Sequence, residues 1–152
     1  MIFEFGNIKL DADVEKTRKF YEKLGEIDCS CDGCQNYLLA AESFPSEVNS
    51  FFEMLGMDPK KATEIITWSS EDDGKSLWYG GFYHLFAEMI QGLDCWQSEG
   101  GERGDSYEIC EGYSVAFTKN IALPEEDLPV GALQMEIDFH SVPWKLEKEN
   151  TY

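Results

Sequence analysis

The sequence predicts an α+β fold: an N-terminal strand and about three helices packed on a largely antiparallel sheet of four to six strands. Three observations point there. Apolar residues recur at helical spacing between Asp13 and Gly56, the period changes to alternation after Thr63, and turn signals separate the alternating segments. Helices grouped ahead of a run of strands mark an α+β domain, not the alternating order of parallel βαβ units. The 152 residues suit one domain, 1–152, with a helical part over about 12–56 and a sheet part over about 63–143.

Each element follows from local chemistry. Ile2 to Leu10 reads as one strand, kinked at Gly6. Asp13 is a helix N-cap, and Lys16, Thr17, Phe20, Tyr21 and Leu24 carry a helical pattern to Gly25, with Phe20, Tyr21 and Leu24 as its buried stripe. A cysteine-bearing loop, 28–34, leads into a second helix over about Gln35–Glu42. Pro45 opens a third at a first-turn position where its missing N–H is harmless, with Val48, Phe51, Phe52 and Leu55 inward. From Thr63 to Ser69 the chain is rich in strand formers, and Asp72-Asp73-Gly74 signals a hairpin. Ser76 to Ile90 is a long strand in which Gly80-Gly81 suggests a bulge or bend. Two further strands, around Tyr107–Thr118 and Ala132–Val142, are joined by the acidic Pro124–Pro129 loop. The polar tail from Lys145 is expected to fray.

Charge sets aside several functions. There are 12 Lys+Arg against 30 Asp+Glu, a net charge of −18. No Lys or Arg occurs from Leu24 to Pro59, or again from Asn120 to Trp144. A nucleic-acid interface neutralises phosphates with clustered cations, so no nucleic-acid partner is expected. Excess acid more often means only solubility and repulsion between copies; the sharper reading is a docking surface for a basic protein partner, drawn in by complementary charge. No stretch approaches the ~18 apolar residues of a spanning helix, so no membrane partner is expected. The N-terminus lacks a basic region followed by an apolar run, which argues for a cytoplasmic protein.

Five cysteines, an odd number, fit a reducing compartment better than a disulfide framework. Cys95 and Cys110 stand alone and read as small buried hydrophobes. Cys29-Ser30-Cys31-Asp32-Gly33-Cys34 is different, because three thiolates at this spacing can converge on one soft cation such as zinc. A structural zinc wants four ligands, and Cys95, Cys110, His84, His140 or Asp28 could supply the fourth. Two other readings stand beside it. Cys31 and Cys34 form a CxxC at the start of a helix, a redox arrangement, although Asp28 and Asp32 would raise a thiol pKa there. The third is that the thiols simply pack in a turn.

Other constellations are weaker. Alternation in Ala132–Val142 turns Leu133, Met135, Ile137 and Phe139 to one face and Gln134, Glu136, Asp138 and His140 to the other, which reads as a solvated face. Phe82, His84, Phe86 and Glu88 share one side of the long strand. His84 with Glu88 is the candidate acid–base pair if the protein is an enzyme, and a hydrogen-bonded core histidine otherwise. The segment Gly100-Gly101-Glu102-Arg103-Gly104 lacks the Lys and the following helix of a phosphate loop. Hydrolase, zincin and EF-hand motifs are absent. The four Trp and seven Tyr are expected in the core.

The Cys29-x-Cys31-x-x-Cys34-Gln35-Asn36-Tyr37 loop, Phe44-Pro45-Ser46-Glu47-Val48 with Leu55-Gly56-Met57-Asp58-Pro59, and Tyr79-Gly80-Gly81-Phe82-Tyr83-His84 resemble a family of small uncharacterised bacterial proteins. The similarity covers roughly residues 1–90. It implies a bacterial, cytoplasmic setting and brings no activity, catalytic residues or cofactor. The expected function is a small acidic binding or regulatory module with zinc in its cysteine loop, and the rival is a small-molecule enzyme using a thiol or His84 and Glu88. The sequence gives no oligomeric state.

Overall fold

The computed structural model describes residues 1–96, 104–124, 128 and 130–152. The elements run β1 (Ile2–Phe5), β2 (Ile8–Ala12), α1 (Val14–Lys23), α2 (Asp32–Ala41), α3 (Ser46–Met54), β3 (Glu64–Ser69), β4 (Ser76–Gln91), β5 (Ser106–Cys110), β6 (Tyr113–Thr118) and β7 (Ala132–Pro143). Among the described residues three helices precede most of a seven-stranded antiparallel sheet, the α+β arrangement expected. Six strands lie in the order β1-β2-β4-β7-β6-β5, and β3 pairs with β4 off that path.

The sheet has more strands than expected because two predicted single strands are hairpins. Gly6-Asn7 and Glu111-Gly112 are two-residue loops, and each places its glycine at positive φ, 60° and 85°, where a hairpin turn needs it. Gly80 and Gly81, by contrast, do not interrupt β4. Its register shifts lie towards its two ends, against β7 between Leu77 and Tyr79 and against β2 at Lys9/Leu10, and Gly80 gives room to a neighbour: a Cβ there would stand 2.8 Å from the Trp68 ring.

β4 is the spine. Its first half pairs with β3 through Leu77–Phe82 and its last residues pair with β2 through Ala87–Gln91, both on the same side, while β7 runs along the other side. Between β3 and β2 the β4 edge would carry unpaired backbone groups, and α1 fills that gap. Asp13 N–H donates to Phe86 O at 2.9 Å, Thr17 Oγ1 accepts from Phe86 N–H at 3.0 Å, and the Tyr21 hydroxyl donates to His84 O at 2.7 Å.

The helices were expected on one face, and α2 and α3 are there, whereas α1 sits at this edge. The covered face carries Leu77, Tyr79, Tyr83 and Leu85 of β4 and Leu133, Met135, Ile137 and Phe139 of β7, all buried. Tyr37 of α2 packs edge-on to Tyr79 at 5.0 Å, and Phe52 of α3 to Tyr83 at 4.9 Å. The sheet also curls around these helices. Phe5 of β1 and Tyr107 of β5, at opposite ends of the strand order, have ring centroids 5.3 Å apart, and Phe51 of α3 contacts both. The core therefore lies inside a concave sheet. Its convex face is left largely without helices.

The tail does not fray. Lys145 N–H donates to Asn36 Oδ1 at 2.6 Å, Asn150 Nδ2 to Gly74 O at 3.1 Å, and Lys148 pairs with Asp32 at 2.9 Å. The acidic loop at 125–127 and 129, and positions 100–103 of the glycine-rich segment, lie outside the described residues.

Candidate metal centre in the cysteine loop

Helix α2 starts earlier than its hydrophobic pattern indicates, at Asp32, because Cys31 itself is the N-cap. Its sulfur accepts from Cys34 N–H at 3.4 Å, the place a Ser or Asp oxygen usually takes. Cys29 then approaches from the preceding loop, its thiol donating to the Cys31 sulfur at 3.1 Å. The sulfurs of Cys29, Cys31 and Cys34 all lie within 4.8 Å of one another. Four ligands 2.3 Å from a tetrahedral zinc stand about 3.8 Å apart, so these thiols need shift by under about 1 Å to converge on one ion.

The surrounding groups hold the loop in shape. Gln35 Nε2 donates to Cys29 O at 2.7 Å, the buried Tyr79 hydroxyl donates to Gly33 O at 2.7 Å, and Gly33 N–H donates to the Tyr152 hydroxyl at 2.9 Å. Gly33 permits close approach: a Cβ there would stand 2.5 Å from Thr67 Oγ1 and 2.9 Å from that hydroxyl. Asn36, fully buried, donates to Tyr79 Oη and Pro143 O, tying the first turn of α2 to the sheet.

The thiols differ in acidity. Burial works against a Cys31 thiolate, but the Cys34 N–H and the side chains of Cys29, Cys34 and Tyr152 outweigh it and hold Cys31 below its ordinary value. Burial first, then the Cys29 and Cys31 thiols, push buried Cys34 far upward. The expectation that Asp28 and Asp32 would raise the leading thiol of the CxxC is not met, because the helix terminus supplies the stronger local effect.

The other named candidates are spread over the molecule. Among the described residues, no His, Asp, Glu or further Cys has its ligand atom in the three-thiol group. Asp28 lines a recess of about 390 Å³ together with Cys29, Cys34, Glu26 and Glu64. The Cys95 thiol donates to Glu136 at 3.1 Å on the convex face, and burial and that carboxylate push it upward. Cys110 ends β5, and burial and then Glu47 raise it. His140 is exposed and contacts Asp138 at 3.1 Å.

His84 is buried, its Nε2 3.2 Å from Gln134 Oε1 and its Nδ1 3.4 Å from Thr63 Oγ1. Gln134 Oε1 also accepts from Ala122 N–H at 2.8 Å, which fixes the amide orientation and turns an acceptor towards His84 Nε2. Glu88 lies four residues along the same strand, about 13 Å at ~3.3 Å per residue, and is exposed. The structure does not bring these two together.

Sequence reasoning missed one assembly. Trp68, Trp78 and Trp96, expected in the core, are 38–46% exposed on the convex face. Trp68 and Trp78 are directly paired across β3 and β4 with centroids 5.2 Å apart, and His140 stacks on Trp78 at 4.7 Å. The Asp72-Asp73-Gly74 hairpin signal, followed outward by counting residues, would have found that pair.

Fold and loop together define an α+β protein with a three-thiol site capable of holding a metal. No helix among the described residues is long and apolar enough to cross a membrane. No family model, curated protein or solved structure matches the chain.

Proposed function

We propose that this is a small acidic binding or regulatory protein, cytoplasmic, in which Cys29, Cys31 and Cys34 hold a structural zinc. The observation that carries the reading is the convergence of three sulfurs within 4.8 Å at a helix N-terminus. Zinc takes thiolates, and a helix N-terminus favours their negative charge. The neighbouring groups that orient the loop act as the outer shell such sites require. The fourth ligand in this proposal is Asp28, which lines a recess together with Cys29 and Cys34, or a solvent molecule. The partner is a basic protein, drawn by the net charge of −18.

Metal content and free thiols on untagged protein purified without chelator test this directly. The expected result is about one zinc per chain, with Cys29 and Cys31 protected until chelator is added and Cys34 until the chelated protein is also denatured. Metal-free protein whose exposed Cys29 and Cys31 react at once would overturn it.

A second reading has its own support in the unequal acidity of Cys31 and Cys34. An exposed thiol held low beside a buried one held high is the arrangement of a dithiol that attacks a disulfide and resolves internally. Metal-free protein in which oxidant forms, and dithiothreitol reverses, a Cys31–Cys34 bond would favour it.

A further inference from the structure

We infer that the convex face of the sheet is a docking surface for an arginine-bearing segment of a basic protein. This deepens the partner half of the reading above and is independent of its metal half. Cross-strand pairing places Glu64, Ile66 and Trp68 of β3 beside Trp78, Gly80 and Phe82 of β4, and Glu136 and Asp138 beside Ser114 and Ala116 of β6. Glu108 of β5 extends the same face, opposite Ser114. None of these positions is Lys or Arg. Small residues Gly80, Ser114 and Ala116 flank Asp138 and Glu136 across the strand pairing.

The polar contacts decide what this surface can bind. Trp78 Nε1 donates to Asp138 Oδ1 at 2.5 Å and Trp96 Nε1 to Glu136 Oε2 at 2.6 Å. The indole N–H groups of Trp78 and Trp96 are thus already engaged, and His140 lies on Trp78, so what the patch still offers are the half-exposed, electron-rich ring faces of Trp68 and Trp96. Such faces attract cations. Trp96 is bonded to Glu136, and Trp68 packs on Trp78, which is bonded to Asp138, so one planar cation can stack on either ring while pairing with the carboxylate beside it. A guanidinium fits that geometry, whereas an ammonium is a strongly hydrated point charge. His140 displays the arrangement within the chain: its ring lies over Trp78 at an interplanar angle of 20°, with Nε2 3.1 Å from Asp138 Oδ1. A guanidinium from another protein would use the same two kinds of contact on the adjoining rings. The occupant is identified by charge complementarity, since the face and the whole chain are acidic.

The test titrates the full chain with blocked tetra-arginine and tetra-lysine peptides, followed by Trp fluorescence and calorimetry at low and moderate salt. Tetra-arginine is expected to quench the fluorescence and to bind more tightly than tetra-lysine. Trp68→Ala should weaken it about threefold or more through the lost cation–π contact. Asp138→Asn, which keeps an acceptor for Trp78 and removes the charge, should weaken it about tenfold. Glu22→Gln and Glu53→Gln, exposed on α1 and α3, should leave it unchanged. Equal losses in all four variants would mean diffuse attraction to an acidic chain and overturn the proposal. So would salt-insensitive quenching by a neutral oligosaccharide in place of the peptide, which would make the face a sugar platform. Zinc content of the same samples separates the two readings: a metal-free chain whose face variants lose arginine binding sinks the metal site alone.

Discussion

At the scale of single residues, Cys31 and Cys34 are three positions apart and chemically opposed. Cys31 sits at the cap, where the Cys34 N–H and neighbouring side chains favour its thiolate despite partial burial, while Cys34 points inward, where burial disfavours the charge. The thiolate is the nucleophile, so reduced, chelator-treated protein should be alkylated at Cys31 with a pH midpoint below the ~8.5 of an ordinary thiol. Cys34 should stay unmodified until denaturant is added. Peptide mapping after timed iodoacetamide quenches reads both, and Cys34 reacting as fast as Cys31 would contradict this account. Linkage fixes the sign for stability. A thiol raised by folding leaves stability intact below its unfolded pKa and removes it as pH climbs above that value, so chelated protein should weaken above about pH 8.5 and Cys34→Ala should flatten that loss.

At the scale of elements, the long strand β4 needs a partner for every stretch of its edge, and α1 supplies one where neither β3 nor β2 reaches. Thr17 is the pivot, fully buried, with Oγ1 donating to Asp13 O at 2.9 Å and accepting from Phe86 N–H at 3.0 Å. Thr17→Val keeps the shape and orphans that N–H, so it should cost about 1–3 kcal/mol in urea unfolding, and Thr17→Ser should recover part of it. A cost for Val under ~0.5 kcal/mol would mean water or a backbone shift replaces the hydroxyl. The same elements show what local sequence can and cannot reveal. Helical period, the Asp13 cap, Pro45 and the switch to alternation after Thr63 are local signals, and all three helices and the long strand follow from them. The hairpins at Gly6-Asn7 and Glu111-Gly112 were hidden because alternation continues on both sides of each turn. Gly6-Asn7 carries a recognised two-residue turn composition, but Glu111-Gly112 has only its glycine. The cysteine cluster was legible because its three thiols are neighbours in sequence. The tryptophan face was not, since Trp68, Trp78 and Trp96 come together only through strand register and a returning loop.

At the scale of the whole molecule, the two candidate surfaces are held by opposite ends of the same logic. Helices α2 and α3 fill the concave side, so the convex side keeps its aromatic and acidic residues in solvent, and the first turn of α2 emerges beside β3 to present the thiols. The last residues of the chain then close on that turn. The Tyr152 hydroxyl accepts from Gly33 N–H, Lys148 pairs with Asp32, and Trp144 Nε1 donates to Lys148 O at 2.7 Å, which folds the tail back on itself. A loop next to the sheet's last strand thus orients cysteines more than a hundred residues earlier. Ending the chain at Lys148 removes the Tyr152 contact with Gly33 and the Asn150 contact with Gly74 while leaving the core untouched. Outer-shell contacts of this kind are worth ~10–100-fold in metal affinity, so the shortened chain should bind zinc about tenfold more weakly in competition with a chromogenic chelator. Its unfolding free energy without metal should fall by only about 1 kcal/mol, because the loss is two part-buried hydrogen bonds at the edge of the core. Unchanged zinc affinity would show that the tail only covers α2. A large loss of stability without metal would show instead that it is part of the core.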